Sequence, residues 1–217
     1  MTSAEVADRL AEVRERIAGA GGSPEGVTVV AVTKGFGPEV VEAAVGAGLA
    51  DMGESYAQEL EDKAARLTGT PVVDGCRWHY LGRVQRNKVR RLGPFVHMWQ
   101  AVDLRAAGEE IARRAGERRV LVQVNVSGEE GKHGCRFDEA PALVDTLAGL
   151  GIDVRGLMAV GPAGPPEQAR DGFRRLARLA DQLGLPERSM GMTDDLEVAV
   201  QEGTTMVRVG RALFGTR

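Results

Sequence analysis

The heptapeptide Val120-Leu121-Val122-Gln123-Val124-Asn125-Val126 decides the fold class. A strand with one face in water alternates apolar and polar side chains, whereas a strand covered on both faces reads as a nearly unbroken apolar run, interrupted here only at Gln123 and Asn125. The stretch predicts a parallel strand with helices packed outside it. Outward from it, short apolar runs alternate with helical patterns in both directions. Val27–Val32, Leu49–Gly53, Arg77–Gly82, Phe95–Val102, Arg119–Val126, Val154–Val160, Arg188–Met192 and Met206–Val209 are the eight strand candidates. Eight strands close a parallel barrel, although an open doubly wound sheet meets the same pattern.

The clearest intervening helices are marked by Leu143, Val144, Leu147 and Leu150 and by Phe173, Leu176, Leu179 and Leu183; Leu60 to Leu67 and Leu104 to Ile111 carry weaker helical patterns. Ahead of the first strand, Val6, Leu10, Val13 and Ile17 fall on one face of an extra N-terminal helix that stops at Gly19-Ala20-Gly21-Gly22. Gly161-Pro162-Ala163-Gly164-Pro165-Pro166 is expected to be a loop without regular structure. With 217 residues, no internal repeat and no linker-like composition break, residues 1–217 are read as one domain.

The formal charge of −3 gives no global attraction to nucleic acid or to an anionic membrane. Two cysteines, Cys76 and Cys135, without CxxC spacing, indicate neither a disulfide framework nor a zinc site and suit a reducing cytoplasm. His79, His97 and His133 are too scattered for a metal centre. The N-terminus carries acids and bases at helical spacing rather than a leader pattern, and no apolar run approaches membrane-spanning length, so a soluble, unprocessed chain is expected.

In a parallel barrel, functional residues gather at the carboxyl ends of the strands, which nominates Lys34, Glu54, Ser55, His79, Gly82, Asn125, Met158, Thr193, Arg208 and Gly210. Lys34 ends the apolar run Val29-Val30-Ala31-Val32-Thr33-Lys34, where burial would favour the neutral amine that Schiff-base chemistry needs. At the other end of the chain, Met206-Val207-Arg208-Val209-Gly210-Arg211 pairs an arginine among apolar neighbours with backbone amides beside a glycine. Met190-Gly191-Met192-Thr193-Asp194-Asp195 turns from a short strand into an acidic helix start, with Thr193 or Asp194 as the expected N-cap. A phosphate there would accept from the Thr193 hydroxyl and the Gly210 and Arg211 amides. An amine, an arginine and a phosphate cup together suggest pyridoxal 5′-phosphate (PLP), and the two chain ends meet if the sheet closes. An arginine at a pyridine nitrogen disfavours protonation there and weakens the ring as an electron sink. His79, between Trp78 and Tyr80, reads as a packed barrel residue rather than a base.

These residues, in this order, resemble the PLP homeostasis proteins, a vitamin B6-binding family whose fold is similar to the N-terminal barrel of alanine racemase. The resemblance spans Ala31 to Lys34, Gly53-Glu54-Ser55-Tyr56-Ala57-Gln58-Glu59, Trp78 to Gly82 with Gln85, Asn87 and Lys88, Arg155 to Ala159, Ser189 to Asp195 and Met206 to Gly210. It implies an α/β fold, a single-domain (β/α)8 TIM barrel of the alanine racemase N-terminal type. It also implies PLP bound covalently on Lys34, with Thr193 and the Gly210-Arg211 backbone at the phosphate and Arg208 by the ring nitrogen. Ser55, His79 and Met158 complete the expected cofactor contacts. Ser55 stands where the family usually has asparagine, so a contact near the ring is shorter or water-mediated here; Thr193 replaces the commoner serine but keeps the hydroxyl.

The implied function is a cytoplasmic, non-catalytic PLP carrier or buffer, a monomer, with apo PLP-dependent enzymes as recipients. The alternative is a PLP-dependent racemase or lyase. Two-base proton transfer needs groups on both faces of a substrate; alanine racemase takes its opposing tyrosine from the partner subunit's added domain, and Tyr56 and Tyr80 both lie in barrel segments here. Lys132, His133 or Cys135, on the loop after the fifth strand, would have to serve as the base. A third class, a nucleic-acid or protein-binding module, would use the basic stretch Arg83, Arg86, Lys88, Arg90 and Arg91, which lacks interleaved aromatics and reads more simply as a solvated helix face.

Overall fold

The computed structural model describes residues 1–216, the side chains of residues 73 and 74 aside. The chain begins with α1 (Ser3–Gly19), continues through β1 (Thr28–Val32), α2 (Glu39–Gly46), β2 (Asp51–Glu54), α3 (Ala57–Leu67), α4 (Pro71–Asp74), β3 (Arg77–Tyr80), α5 (Arg86–Leu92) and β4 (Val96–Val102), and then α6 (Arg105–Arg114), β5 (Arg119–Gln123) and α7 (Ala140–Gly149). It ends with β6 (Asp153–Met158), a 3-10 turn at Pro166–Ala169, α8 (Arg170–Gln182), β7 (Glu187–Ser189), α9 (Leu196–Gln201), β8 (Met206–Val209) and α10 (Arg211–Phe214). All the strand pairs are parallel, in sequence order, and β1 pairs with β8, so the sheet closes. The register Val30↔Arg208 and Ala31↔Val209 brings the two ends of the chain side by side.

The main apolar core lies between the strands and the helical ring, where α8 contributes Phe173 and Leu176 and α7 contributes Leu147, all fully buried. Inside the barrel a second, smaller cluster of Val30, Met98, Ala101, Leu121, Met158 and Met206 fills the space beside buried polar groups. The N-terminal helix buries all four of its periodic residues, Val6, Leu10, Val13 and Ile17, and starts with a capping box in which the Thr2 hydroxyl accepts from the Glu5 amide while the Glu5 carboxylate accepts from the Thr2 amide.

All the expected strands form, but several stop early. β5 ends at Gln123 rather than Val126, β6 at Met158 rather than Val160, and β7 at Ser189 rather than Met192. The residues just beyond, Val124, Ala159 and Met190, stay buried, and each amide still donates one hydrogen bond to the neighbouring strand, to the Met158, Ser189 and Met206 carbonyls. The helix after β7 begins at Leu196 with Asp195 at its N-cap, so neither Thr193 nor Asp194 caps it. Asp195 instead turns back to accept from the Met192 amide at 2.6 Å. The loop at Gly161–Pro166 is irregular up to Pro166, which opens the 3-10 turn because its fixed φ suits a first helical position.

Candidate functional site

The carboxyl ends of β1, β2, β6 and β8 and the loop after β7 surround a cavity of about 440 Å³ at the barrel mouth. Lys34, Met158, Thr193, Arg208, Gly210 and Arg211 all line it, and Ser55 borders it beyond β2. Lys34 lies two residues past β1, in a turn closed by the Phe36 amide donating to the Thr33 carbonyl at 3.1 Å, with Gly35 at φ 77°. The strand therefore ends before Lys34, and the lysine is exposed to the mouth, not buried as its apolar run suggested. Gly210, at the end of β8, lies so close to β1 that a Cβ there would sit 3.0 Å from the Val32 carbonyl oxygen. Any side chain there would push the two strand ends apart by a few tenths of an ångström. Val160 and Met192 form an exposed apolar lip, 41% and 38% accessible.

Arg208 is buried and, among the described residues, holds no direct carboxylate. Its Nη1 donates to the Ser189 carbonyl at 2.8 Å and to the Ser189 hydroxyl at 2.7 Å, and its Nη2 donates to the Ala159 carbonyl at 2.7 Å. Desolvation lowers its pKa to about 10, against the opposing charge of Asp195. It remains a cation at neutral pH. Arg211 places its guanidinium on Asp194, and both residues line the cavity. The Thr193 hydroxyl accepts from the Ala212 amide at 3.4 Å, which ties the loop after β7 to the start of α10.

Two supports lie beneath and beside this mouth. Below Lys34, the fully buried Glu54 accepts from the Thr33 hydroxyl at 2.9 Å and from Lys63, whose Nζ also donates to the Thr33 carbonyl at 2.7 Å. This three-residue cluster fixes the peptide immediately before Lys34. Burial raises the Glu54 carboxyl above its ordinary value, with the hydrogen bond and charge of Lys63 opposing. Beside the cup, α1 reaches both of its walls: Arg16 donates to the Thr193 carbonyl at 2.8 Å and pairs with Glu197 through both carboxylate oxygens, and Arg9 donates to the Leu213 carbonyl at 3.1 Å. Sequence reasoning missed both of these arginines, which look like ordinary surface charges on an amphipathic helix and act across separations of 177 and 204 residues.

His79 does not line the cavity. Its side chain points into the barrel, hydrogen-bonded to Asp51 at 2.9 Å and to Gln100 at 2.7 Å, because its position on β3 precedes the mouth by a full strand layer. The packed-residue reading describes its place better than the expectation of a cofactor contact. Asn125 also stays outside: its side chain folds the loop after β5, donating to the Glu129 carbonyl and accepting from the Gly128 amide. Gly82 supplies tightness, since a Cβ there would fall 2.1 Å from the Ser55 carbonyl oxygen.

The candidate bases after β5 separate from one another. Cys135 is buried in the outer core with its thiol pushed up to about 12 by burial, His133 is exposed, and Lys132 pairs with Glu129 at 2.6 Å in a neighbouring hollow. In the basic stretch, α5 buries Val89 and Leu92 while Arg91 hydrogen-bonds Gln58 at 2.6 Å and pairs with Glu61 of α3. Among the described residues no group of three or more histidines, cysteines and acids is placed to hold a metal, and no helix is long and apolar enough to cross a membrane.

The chain matches the family of the alanine racemase N-terminal domain over residues 3–217. The chain is 40% identical over 225 residues to the pyridoxal phosphate homeostasis protein of Pseudomonas aeruginosa, covering 98% of this chain and 94% of that one. It is 40% identical over 212 residues to the protein of the same description from Deinococcus radiodurans, covering 94% and 97%. The solved structure of PipY from Synechococcus elongatus with PLP bound superposes with a TM-score of 0.82 at 31% identity, covering 97% of this chain and 100% of that one. The chain belongs to the pyridoxal phosphate homeostasis protein family.

Proposed function

We propose that the chain binds PLP in the mouth cavity, holds it covalently on Lys34 as a Schiff base, and acts as a non-catalytic carrier or buffer in PLP homeostasis. One observation carries the reading: an amine, a hydroxyl and a buried guanidinium, brought from β1, the loop after β7 and β8, converge on a single cavity of about 440 Å³. The residues present fit the cofactor. Lys34 supplies the amine, Thr193 with the Gly210-Arg211 backbone supplies neutral donors for a phosphate, and Arg208 supplies a fixed positive charge. Bound PLP brings an aldehyde that an amine captures reversibly, and a ring that withdraws electrons when its nitrogen is protonated.

The protein's own groups favour holding over turnover. Arg208 has donors only, so it disfavours a proton on a ring nitrogen facing it and weakens electron withdrawal. A racemase or lyase also needs a base placed over the substrate, and the buried, strongly raised Cys135 thiol and the Glu129-paired Lys132 are poorly suited to that role. The relatives' description and PLP in the PipY structure support the same reading. Apo PLP-dependent enzymes in the cytoplasm are the proposed recipients, and a monomer is the proposed state.

Mixing PLP-loaded protein with an apo-aminotransferase tests the proposal. Transaminase activity should return while deuterium exchange at Cα of added alanine stays at the free-PLP background. Fast, stereospecific exchange that requires Lys34 would establish an enzyme instead.

A further inference from the structure

Behind Arg208 a line of buried polar side chains crosses the whole barrel interior. Arg208 Nη1 donates to Ser189 Oγ at 2.7 Å, Ser189 Oγ lies 2.7 Å from Gln100 Oε1, Gln100 Nε2 lies 2.7 Å from His79 Nδ1, and His79 Nε2 lies 2.9 Å from Asp51 Oδ1. Arg77 closes the line with two bonds to Asp51, at 2.9 and 2.7 Å. Ser189 and Gln100 are fully buried, His79 is 1% exposed and Asp51 8%. Four strands besides β8 contribute: β7, β4, β3 and β2. An apolar barrel interior would be cheaper to fill, so the polar line needs a reason.

With the Gln100 amide oriented as its contacts place it and His79 neutral, the chemistry at the two ends sets the protons between them. A guanidinium only donates and an ionised carboxylate only accepts. Ser189 Oγ, already accepting from Arg208, passes its hydrogen to the Gln100 carbonyl oxygen. The Gln100 amide nitrogen then faces His79 and the Met206 sulfur, which lies 3.0 Å away and is itself a weak acceptor. His79 Nδ1 must therefore accept, and the imidazole hydrogen sits on Nε2, where Asp51 receives it. All four bonds point the same way, from the mouth to the floor. Such a run of aligned dipoles stabilises positive charge at its donor end and negative charge at its acceptor end. In agreement, burial pushes the Asp51 carboxyl upward but the hydrogen bonds of His79 and Arg77 outweigh it and hold it well below the usual carboxylate range.

We propose that Ser189, Gln100, His79 and Asp51 form a one-way hydrogen-bonded line that positions Arg208 and sustains its charge at the ring-nitrogen end of the cofactor site. These are positioning residues, acting through Arg208 without touching the cofactor themselves. The inference rests on the proposed PLP reading and extends it: the electron demand of the mouth is set from the opposite end of the barrel.

Two measurements test it. In the unsubstituted protein, ¹⁵N-histidine NMR, with His79 assigned by comparison with His97 and His133 variants, should show a bare Nδ1 and a hydrogen on Nε2, and the Nδ1 signal should move when PLP binds. In folded Ser189→Ala and Gln100→Leu variants, the visible band of the Lys34-bound cofactor should shift and PLP should dissociate about tenfold more readily, as expected for losing a hydrogen bond to a charged group. Ser189→Thr, which keeps the hydroxyl, should restore the parental band. A hydrogen on Nδ1, or parental band and retention in both Ser189→Ala and Gln100→Leu, would overturn the positioning line alone. Absence of any visible adduct in the parent protein would overturn the cofactor reading and the positioning line together.

Discussion

At the scale of single residues the site depends on buried charges held by unlike means. Glu54 and Lys63 meet directly under Lys34, while Arg208 has backbone carbonyls and a hydroxyl instead of a carboxylate. Asp51 anchors the far end, and its depressed carboxyl has a signature in the pH dependence of stability. A carboxyl whose folded pKa lies below its unfolded value contributes stability that is present above the unfolded pKa, near 3.8, and is lost as pH falls through the folded value. Asp51→Asn is therefore expected to cost about 1.5–3 kcal/mol at neutral pH, as for lost hydrogen bonds to a charged group, and to flatten the fall of stability below about pH 4. Denaturant titrations of both proteins across that range measure the difference; parallel pH curves would dissociate Asp51 from the barrel line. Glu54 works in the opposite sense, since a raised carboxyl loses its contribution as pH rises through its folded value, so the substitution isolates the acid-side slope. Residues whose role is local, such as Lys34, Thr193, Arg208 and Gly210, were readable from sequence because each lies at or just past a strand end. Gln100 left a signal too, a polar residue inside the apolar run Phe95–Val102, but while His79 lies on the adjacent strand β3, its other partner, Ser189 on β7, comes within reach only across the closed barrel.

Among elements, α1 contributes more than a hydrophobic plug. Its buried stripe seats it against α2, α9 and α10, and its polar edge then carries Arg16 to the Thr193 carbonyl and Arg9 to the Leu213 carbonyl, so one helix braces both the loop after β7 and α10 beside the proposed phosphate cup. The helix itself was legible from a four-and-three spacing; its bracing role was not, because a half-buried arginine on an amphipathic helix carries no local mark of a contact made near the other end of the chain. Arg16→Met, which keeps most of the stem's packing, is expected to weaken PLP retention a few-fold by loosening the Thr193 loop. Thr193→Ala, which removes a donor facing the phosphate, is expected to weaken it about tenfold. Equilibrium dialysis of PLP against the three proteins ranks them, and an Arg16→Met variant indistinguishable from the parent would confine α1 to packing. The strand ends were over-read for a related reason. Val124, Ala159 and Met190 keep strand-like composition because they stay buried and still donate one amide each to the neighbouring strand, while the regular ladder has ended.

For the whole molecule, closure of the sheet is what makes a site. Lys34 and Arg208 come from opposite ends of the sequence; β1 pairing with β8 brings them to one cavity, and Gly210 keeps a side chain out of the close approach between those strands. Periodicity sets the number of strands but not their closure, since an open sheet has the same alternation of strand and helix. The choice lies in long-range pairing, above all between the first strand and the last. The central claim, that the closed mouth holds PLP on Lys34, is tested most directly by borohydride reduction of the loaded protein followed by peptide mass mapping. The account predicts one phosphopyridoxyl group, on the peptide containing Lys34, and its absence from Lys34→Ala; modification confined to another lysine, with Lys34→Ala keeping the parental visible spectrum, would contradict it.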